Sequence, residues 1–515
     1  MEQTVTAKPS RFERFLKGTE KLGNKIPHPM LLFIWLAIAV IILSFICSVC
    51  GVSAVNPTTG KVVGPYNLLS VDGFILMITK AVDNFITLPA LGMVLVCMMG
   101  VGLCDHSGLF YAALKGLGEH SKGSDTAVIA IFSFICIMAS CTGGAGFVVM
   151  PVLGAMIWSG MKRNPLAGIF LAYSCVSGGY ASNLLITPWD VMHVSFTLPA
   201  ARLIDPNFQL SPAINWYFCA FSVPVLTIAS VILINKIVEP RLGKYDPSYS
   251  DLDKEDVVSA SSEQEKKALK SAGISLLIYI AILVVLVITG VLRDPKTGSA
   301  IATSSPLMKG ITIVIALVFA IPGIVYGLKC GKFKGVAGIA KALEKTMAGM
   351  GSYIALMFFI AQFINYFGWS NLGIIFAIKG ADSLKASGFP IWLVLLLFTI
   401  LCCFLNLFIG GASTKWGILS VVFVPMFMML GFHPALVQMA YRIGDSVTNP
   451  ILAVDAYFGM LLALAQRYDR RSGVGTLIAN MMPFALAYTA LMIIQLLVWF
   501  FFKIPMGPGA PILLP

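Results

Sequence analysis

Four charged residues stand where this chain is otherwise apolar. Lys415, Arg442 and Asp445 lie in or beside long apolar stretches, and Asp190 holds a comparable place in the first half. A Lys, Arg or Asp at the centre of a membrane helix costs about 2.5–3.5 kcal/mol on insertion scales, so such residues mark pathways or serve as partners for one another. Arg442 and Asp445 stand at i and i+3 on one helix, close enough to pair across a turn. Two readings follow. Either the two form a structural ion pair, or Arg442 offers its planar fork to a substrate carboxylate while Asp445 orients it or carries a proton.

Polar and aromatic residues gather around these charges. Trp416 follows Ser413 by three residues at a Gly-rich break, where an indole can stack on a ring while the hydroxyl bonds a polar group. An interfacial anchor is the alternative for the Trp. Asn183, Asn406 and Asn449 either ligate a cation through side-chain oxygens or cap broken helices. Gly143 and Gly411 sit in the two breaks, SCTGGAG at 140 to 146 and IGGAS at 409 to 413. His193 and His433 flank the broken helices and read as interfacial, while Asp455, just after the second break, reads as facing water.

The elements that position these residues must be membrane helices. Of 515 residues 58% are hydrophobic and 12% charged, against roughly a quarter charged in ordinary soluble domains. Met30 to Cys50, Ile274 to Leu292, Ile311 to Leu328 and Val474 to Phe502 are the plainest runs near the roughly 20 residues that cross a bilayer. The first follows a basic N-terminus but is too long for a cleaved signal, and is read as a retained helix. The net charge of +12 reflects orientation rather than nucleic acid. Eleven cysteines, mostly in apolar runs, show neither metal spacing nor a disulfide framework.

Single crossings fit near 30 to 50, 85 to 104, 165 to 187, 213 to 238, 271 to 292, 308 to 328, 346 to 369, 433 to 452 and 476 to 502. Two stretches, 126 to 161 and 391 to 430, are too long for one span, and each has a Gly-rich centre. They read as re-entrant hairpins, tolerable only when buried in protein or lining a wet cavity. With the N-terminus (1 to 29) cytoplasmic, 25 of the 36 Lys and Arg fall on cytoplasmic segments and 9 outside. A polar cytoplasmic linker at 239 to 270 divides the chain into a first membrane half, 30 to 238, and a second, 271 to 515.

The halves echo one another. After each hairpin come a proline (Pro151, Pro425), an X-Pro helix start, a Tyr, and a small or polar break ending in Asn183 or Asn449. The fold expected is therefore an all-α polytopic membrane protein, nine transmembrane helices plus two re-entrant hairpins in an inverted repeat. Paired interruptions of this kind point to a midplane site, because freed helix ends present N–H dipoles to anions and carbonyls to cations. Two merely kinked helices are the plainer alternative.

Several segments carry a resemblance. GNKIPHPMLLF at 23 to 33, ASNLLITPWDV at 181 to 191, AQFINYFGWSNLG at 361 to 373, VFVPMFMMLGFHPA at 422 to 435, YRIGDSV at 441 to 447 and AQRYD at 465 to 469 occur in family order. The chain resembles the aminobenzoyl-glutamate transporter family over nearly its full length. That resemblance implies a dimeric inner-membrane protein that takes up p-aminobenzoyl-glutamate, or exports sulfonamides, with substrate-pathway residues at Asp190, Ser413, Trp416, Arg442 and Asp445. Asn406 and Pro434 also match. The chain departs from the pattern at Gly144, where relatives carry Asp, and at Ala453 and Ala456, where they carry Pro.

The function expected is secondary transport of p-aminobenzoyl-glutamate or a related aryl or acyl-amino acid anion, with no cofactor and with a proton or sodium ion as coupling ion. The partners expected are the anionic substrate, the lipid bilayer and a second copy of the chain, and no nucleic acid. Sulfonamide efflux is the alternative within transport. A passive channel or a membrane-embedded enzyme is the alternative from another class, and neither a nucleotide-binding loop nor an H-E-x-x-H run is present.

Overall fold

The computed structural model describes residues 29–55, 61–113, 124–142, 144–250, 262–302, 304–409, 411–453, 455 and 457–514. Among them the helices longer than one turn run in order as follows. The first half holds α1 Pro29–Val49, α2 Val71–Ile86, α3 Pro89–Ser107, α4 Asp125–Ala139, α5 Gly144–Gly160, α6 Pro165–Gly178, α7 Pro188–Ala201 and α8 Trp216–Leu233. The second holds α9 Glu263–Ile288, α10 Ile311–Lys329, α11 Gly335–Gly349, α12 Gly351–Trp369, α13 Leu372–Ala386, α14 Ile391–Asn406, α15 Ala412–Met429, α16 Pro434–Val447, α17 Phe458–Tyr468 and α18 Val474–Phe502. Two-residue strands at Ala54–Val55 and Val62–Val63 pair antiparallel.

Nine helical stretches among the described residues are long and apolar enough to cross a bilayer. The number matches the sequence reading, but the membership differs in two places. The stretches at 165 to 187 and 433 to 452 are not continuous spans: α6 and α16 have 14 residues each, or about 21 Å at 1.5 Å per residue, short of a roughly 30 Å core. Each ends in a break and resumes as a second half-helix, α7 or α17. The nine instead include Asp125–Thr142 and Ala412–Met429, each one arm of an expected hairpin. Besides α7 and α17, which also fall outside the expected crossings, three helices were missed, α2, α11 and α13. Each is only 15 or 16 residues long and carries charges, Asp72, Lys80 and Asp83 on α2, Lys341, Glu344 and Lys345 on α11, Lys379, Asp382 and Lys385 on α13. In the 239 to 270 segment the next span already begins at Glu263, capped by Ser262 with Glu265 reaching back.

Both hairpins fold back on themselves. The Phe132 and Trp158 rings lie 5.9 Å apart across α4 and α5, and Phe398 lies 4.4 Å from Phe423 across α14 and α15. These rings stand well away from the intervening break in sequence, which places each pair of helices side by side rather than end to end. The half-helices occupy the core. Every residue of α6 and of α16 is buried, whereas the α9 span faces outward along most of its length. Small residues set the closest approach. A Cβ on Gly154 would meet the Gly168 carbonyl oxygen at 2.3 Å, and one on Gly168 would meet the Gly154 oxygen at 2.2 Å, so α5 and α6 touch backbone to backbone.

Gly168→Ala should therefore force α5 and α6 apart at a cost of about 1–3 kcal/mol, read as a lower thermal midpoint of the detergent-purified chain. Gly160→Ala, where a Cβ meets open space, serves as the control. Equal midpoints for the two variants would contradict the close packing.

Candidate functional site

The breaks are written into the local sequence. Proline opens α6, α7 and α16, where its missing N–H is harmless, and Asn164, Thr187 and His433 cap those helices. After Gly178 the chain makes a short 3-10 turn at Gly179–Ala181 and runs irregularly to Thr187. After Val447 it makes another at Asn449–Ile451 before α17. Backbone interrupted inside an apolar core must find partners in the protein.

Asparagines supply some of them, Asn183 accepting from the Leu185 N–H at 3.0 Å and Asn406 donating to the Asp445 carbonyl at 3.2 Å, and they also tie each break to a hairpin. Asn183 donates to the Ser140 hydroxyl at 3.2 Å, and Asn406 donates to the Asn449 side-chain oxygen at 2.8 Å; in both halves the partners are 43 residues apart. In each pair one residue ends the first arm of a hairpin and the other lies in the following break. The two breaks also touch: Ser446 donates to the Gly178 carbonyl at 2.6 Å and accepts from the Ala181 N–H at 3.1 Å, and Asn449 donates to the Ser177 carbonyl at 3.3 Å.

The charges pair differently from the sequence expectation. Arg442 and Asp445 do not pair with each other. Arg442 Nη1 lies 2.5 Å from Asp190 Oδ1, joining the halves, and Lys415 Nζ lies 2.5 Å from Asp445 Oδ1, joining α15 to α16. Lys415 also donates to Asn406. The i, i+3 spacing lost because both side chains found partners on neighbouring helices. Asp190 has a second duty, since its other oxygen accepts from the Thr187 N–H at 2.6 Å and closes the capping box of α7.

A cavity of about 270 Å³ opens beside these pairs. Of the residues singled out in the sequence, Asn406, Gly411, Ser413, Lys415, Asp445, Asn449 and Asp455 line it. Asp190, Arg442, Asn183 and Trp416 do not. Arg442 is turned to Asp190. Asn183 is used up between the Ser140 hydroxyl and the Leu185 N–H. Trp416 is fully buried, stacked on Tyr441 at 4.5 Å and donating to Thr197 at 2.9 Å, so its ring is neither interfacial nor free. His193 and His433 are likewise buried rather than interfacial. Gly143 lies outside the described residues.

Sequence reasoning missed the aromatic wall. Phe147 stacks on Tyr457 at 4.7 Å, and Tyr180 packs on Trp189 at 4.9 Å; all four line the cavity. Their only signal was position: Tyr180 and Trp189 bracket the first break, and aromatics there read as ordinary core. In the same cavity α15 starts at Ala412 with no side-chain cap, after Gly411 at φ +81°, a conformation that suits glycine. The start of α15 thus brings uncapped first-turn N–H groups, the Ser413 hydroxyl and the Lys415 ammonium to the cavity wall, alongside the Asp445 and Asp455 carboxylates.

A family profile matches residues 14–514, so the chain belongs to the AbgT putative transporter family. It is 35% identical over 492 residues to the p-aminobenzoyl-glutamate transport protein of Escherichia coli (strain K12), covering 95% of each chain. Among solved structures it is similar to the YdaH transporter of Alcanivorax borkumensis, with 37% identity and a TM-score of 0.88 over 94% of this chain and all of that one. It is also similar to MtrF of Neisseria gonorrhoeae, described within a class of antimetabolite efflux pumps, with 36% identity and a TM-score of 0.90 over 97% of this chain and all of that one. The chain is thus a multi-pass membrane protein of a transporter family.

The Arg442–Asp190 pair generates a stability prediction. Asp190→Asn leaves a buried guanidinium uncompensated, at a cost of about 3–5 kcal/mol, and Asp190→Asn with Arg442→Gln should recover much of it. A double variant as unstable as the single, by thermal midpoint, would contradict the pairing.

Proposed function

We propose that this chain is a secondary active transporter of p-aminobenzoyl-glutamate, or of a related aryl or acyl-amino acid anion, across the bacterial inner membrane. The observation that carries the reading is the mixed lining of the cavity, donor groups together with aromatic rings. The uncapped start of α15, Ser413 and Lys415 suit a carboxylate, and Phe147, Tyr457, Tyr180 and Trp189 suit an aryl ring. The substrate named for the Escherichia coli relative has both features. In this reading the two hairpins are re-entrant, the halves form an inverted repeat, the N-terminus is cytoplasmic and the protein is a homodimer without enzymatic activity. The equal 43-residue spacing of the two hydrogen-bonded pairs supports the repeat.

The roles of the expected site residues shift accordingly. Ser413, Asn406, Asn449, Gly411 and Asp445 belong to the binding wall, with Lys415 as the cation nearest the substrate. Arg442 with Asp190, Trp416 and Asn183 hold the half-helices in place behind it. Alternating access then proceeds by movement of one hairpin and broken helix against the other, around a site near the midplane. The likeness to MtrF favours a second reading, efflux of sulfonamide-type antimetabolites through the same cavity, since these too are aryl compounds.

Purified protein in proteoliposomes, given pH and sodium gradients in turn, should accumulate p-aminobenzoyl-glutamate saturably under one of them. Lys415→Ala, Arg442→Ala and Asp445→Ala should each lower that flux at least about tenfold, a loss of roughly 1.4 kcal/mol or more. Normal flux in the Lys415 and Asp445 variants would remove the cavity from the transport path. Outward-directed sulfonamide transport without p-aminobenzoyl-glutamate uptake would favour the second reading.

A further inference from the structure

The charges around the cavity do not balance. Arg442 is committed to Asp190 and Lys415 to Asp445. A third carboxylate, Asp455, also lines the cavity and has no ion-pair partner among the described residues. Two cations against three carboxylates leave one net negative charge beside a site that suits an anion. Asp455 is only half-buried, and one of its oxygens accepts from the Tyr457 N–H at 2.8 Å, while the other has no hydrogen-bond partner among the described residues.

We propose that Asp455 takes up a proton when an anionic ligand enters, so that ligand and proton occupy the cavity together. The inference rests on the reading of the cavity as an anion site. A second negative charge brought into a partly desolvated space disfavours the ionised form of a carboxylate. Asp190 and Asp445 are protected from this because each is fixed by a cation, whereas Asp455 has only a backbone N–H. The proton comes from bulk solvent and returns to it when the ligand leaves.

The groups around Asp455 fit that role. Lys415 on α15 and Asp445 on α16 share the cavity wall with it. From its own segment comes Tyr457, which also feels Asp105 at the end of α3, and Tyr180 stands across the cavity. Tyr173 on α6, packed against Phe147 and Phe458, is within electrostatic reach of Asp455. Its buried hydroxyl has no hydrogen-bond partner among the described residues.

Infrared difference spectra of the purified full-length protein test this. Benzoate, p-aminobenzoate and p-aminobenzoyl-glutamate are perfused in turn over the wild type and Asp455→Asn. Binding of an anion to the wild type should raise a protonated-carboxyl band that Asp455→Asn lacks. Wild-type affinity should fall about tenfold per pH unit on the alkaline side, as one linked proton requires, and should change less than about twofold in the variant. Binding without the band, or a band that survives in the variant, would overturn the proposal. Benzoate binding with the band while p-aminobenzoyl-glutamate does not bind would uphold it and reject that substrate. Failure of all three anions to bind the wild type would overturn both readings.

Discussion

A helix interrupted within lipid exposes backbone groups that hydrocarbon cannot satisfy, and the architecture of this protein answers that one constraint. Each interrupted helix is held by an asparagine that reaches to, or from, the tip of the neighbouring hairpin. The turn of each hairpin lies beside the break that follows it in sequence. Hairpin and broken helix are therefore one unit, and two such units meet through Ser446 and Asn449 on one side and Gly178 and Ser177 on the other. The long outer helices surround this polar centre.

Charge follows the same logic. Two buried cations and two buried carboxylates pair between helices: α7 with α16 across the two halves, and α15 with α16, which a short turn also joins. Ion pairs of this kind contribute little net stability against a well-packed apolar core, yet removing one partner is costly. Their value is in fixing which surfaces meet. The Arg442–Asp190 contact ties the first half to the second, whereas the equally buried Lys415–Asp445 pair sits with Asn406 at the cavity wall.

Much of this was legible in the sequence. Apolar run length announced a membrane protein, and SCTGGAG and IGGAS announced two hairpins whose bounds fall within a residue or so of α4–α5 and α14–α15. The charged and asparagine residues that converge at the breaks were all named. Which of them pair was not legible, because Arg442 and Asp445 satisfy a helical spacing that tertiary partners override. Nor was orientation: Trp416 looks like a ring-binding residue until Tyr441 and Thr197 are seen to occupy it. The aromatic wall was hidden because Phe147, Tyr180 and Trp189 resemble core residues in any apolar helix. Short, charge-bearing helices such as α2 and α11 escape a test built on uncharged length.

The central claim is that an aryl anion lies between the start of α15 and the Phe147–Tyr457 stack. Its most direct test is a crystal of the full chain soaked with an iodine-labelled benzoyl-glutamate, phased so that anomalous scattering locates the iodine. The account predicts a peak beside Phe147 and Tyr457, with the ligand carboxylate within hydrogen-bond reach of Ser413 or Lys415. A peak on the outer faces of the bundle, or one lodged against Arg442 with the cavity vacant, would contradict it.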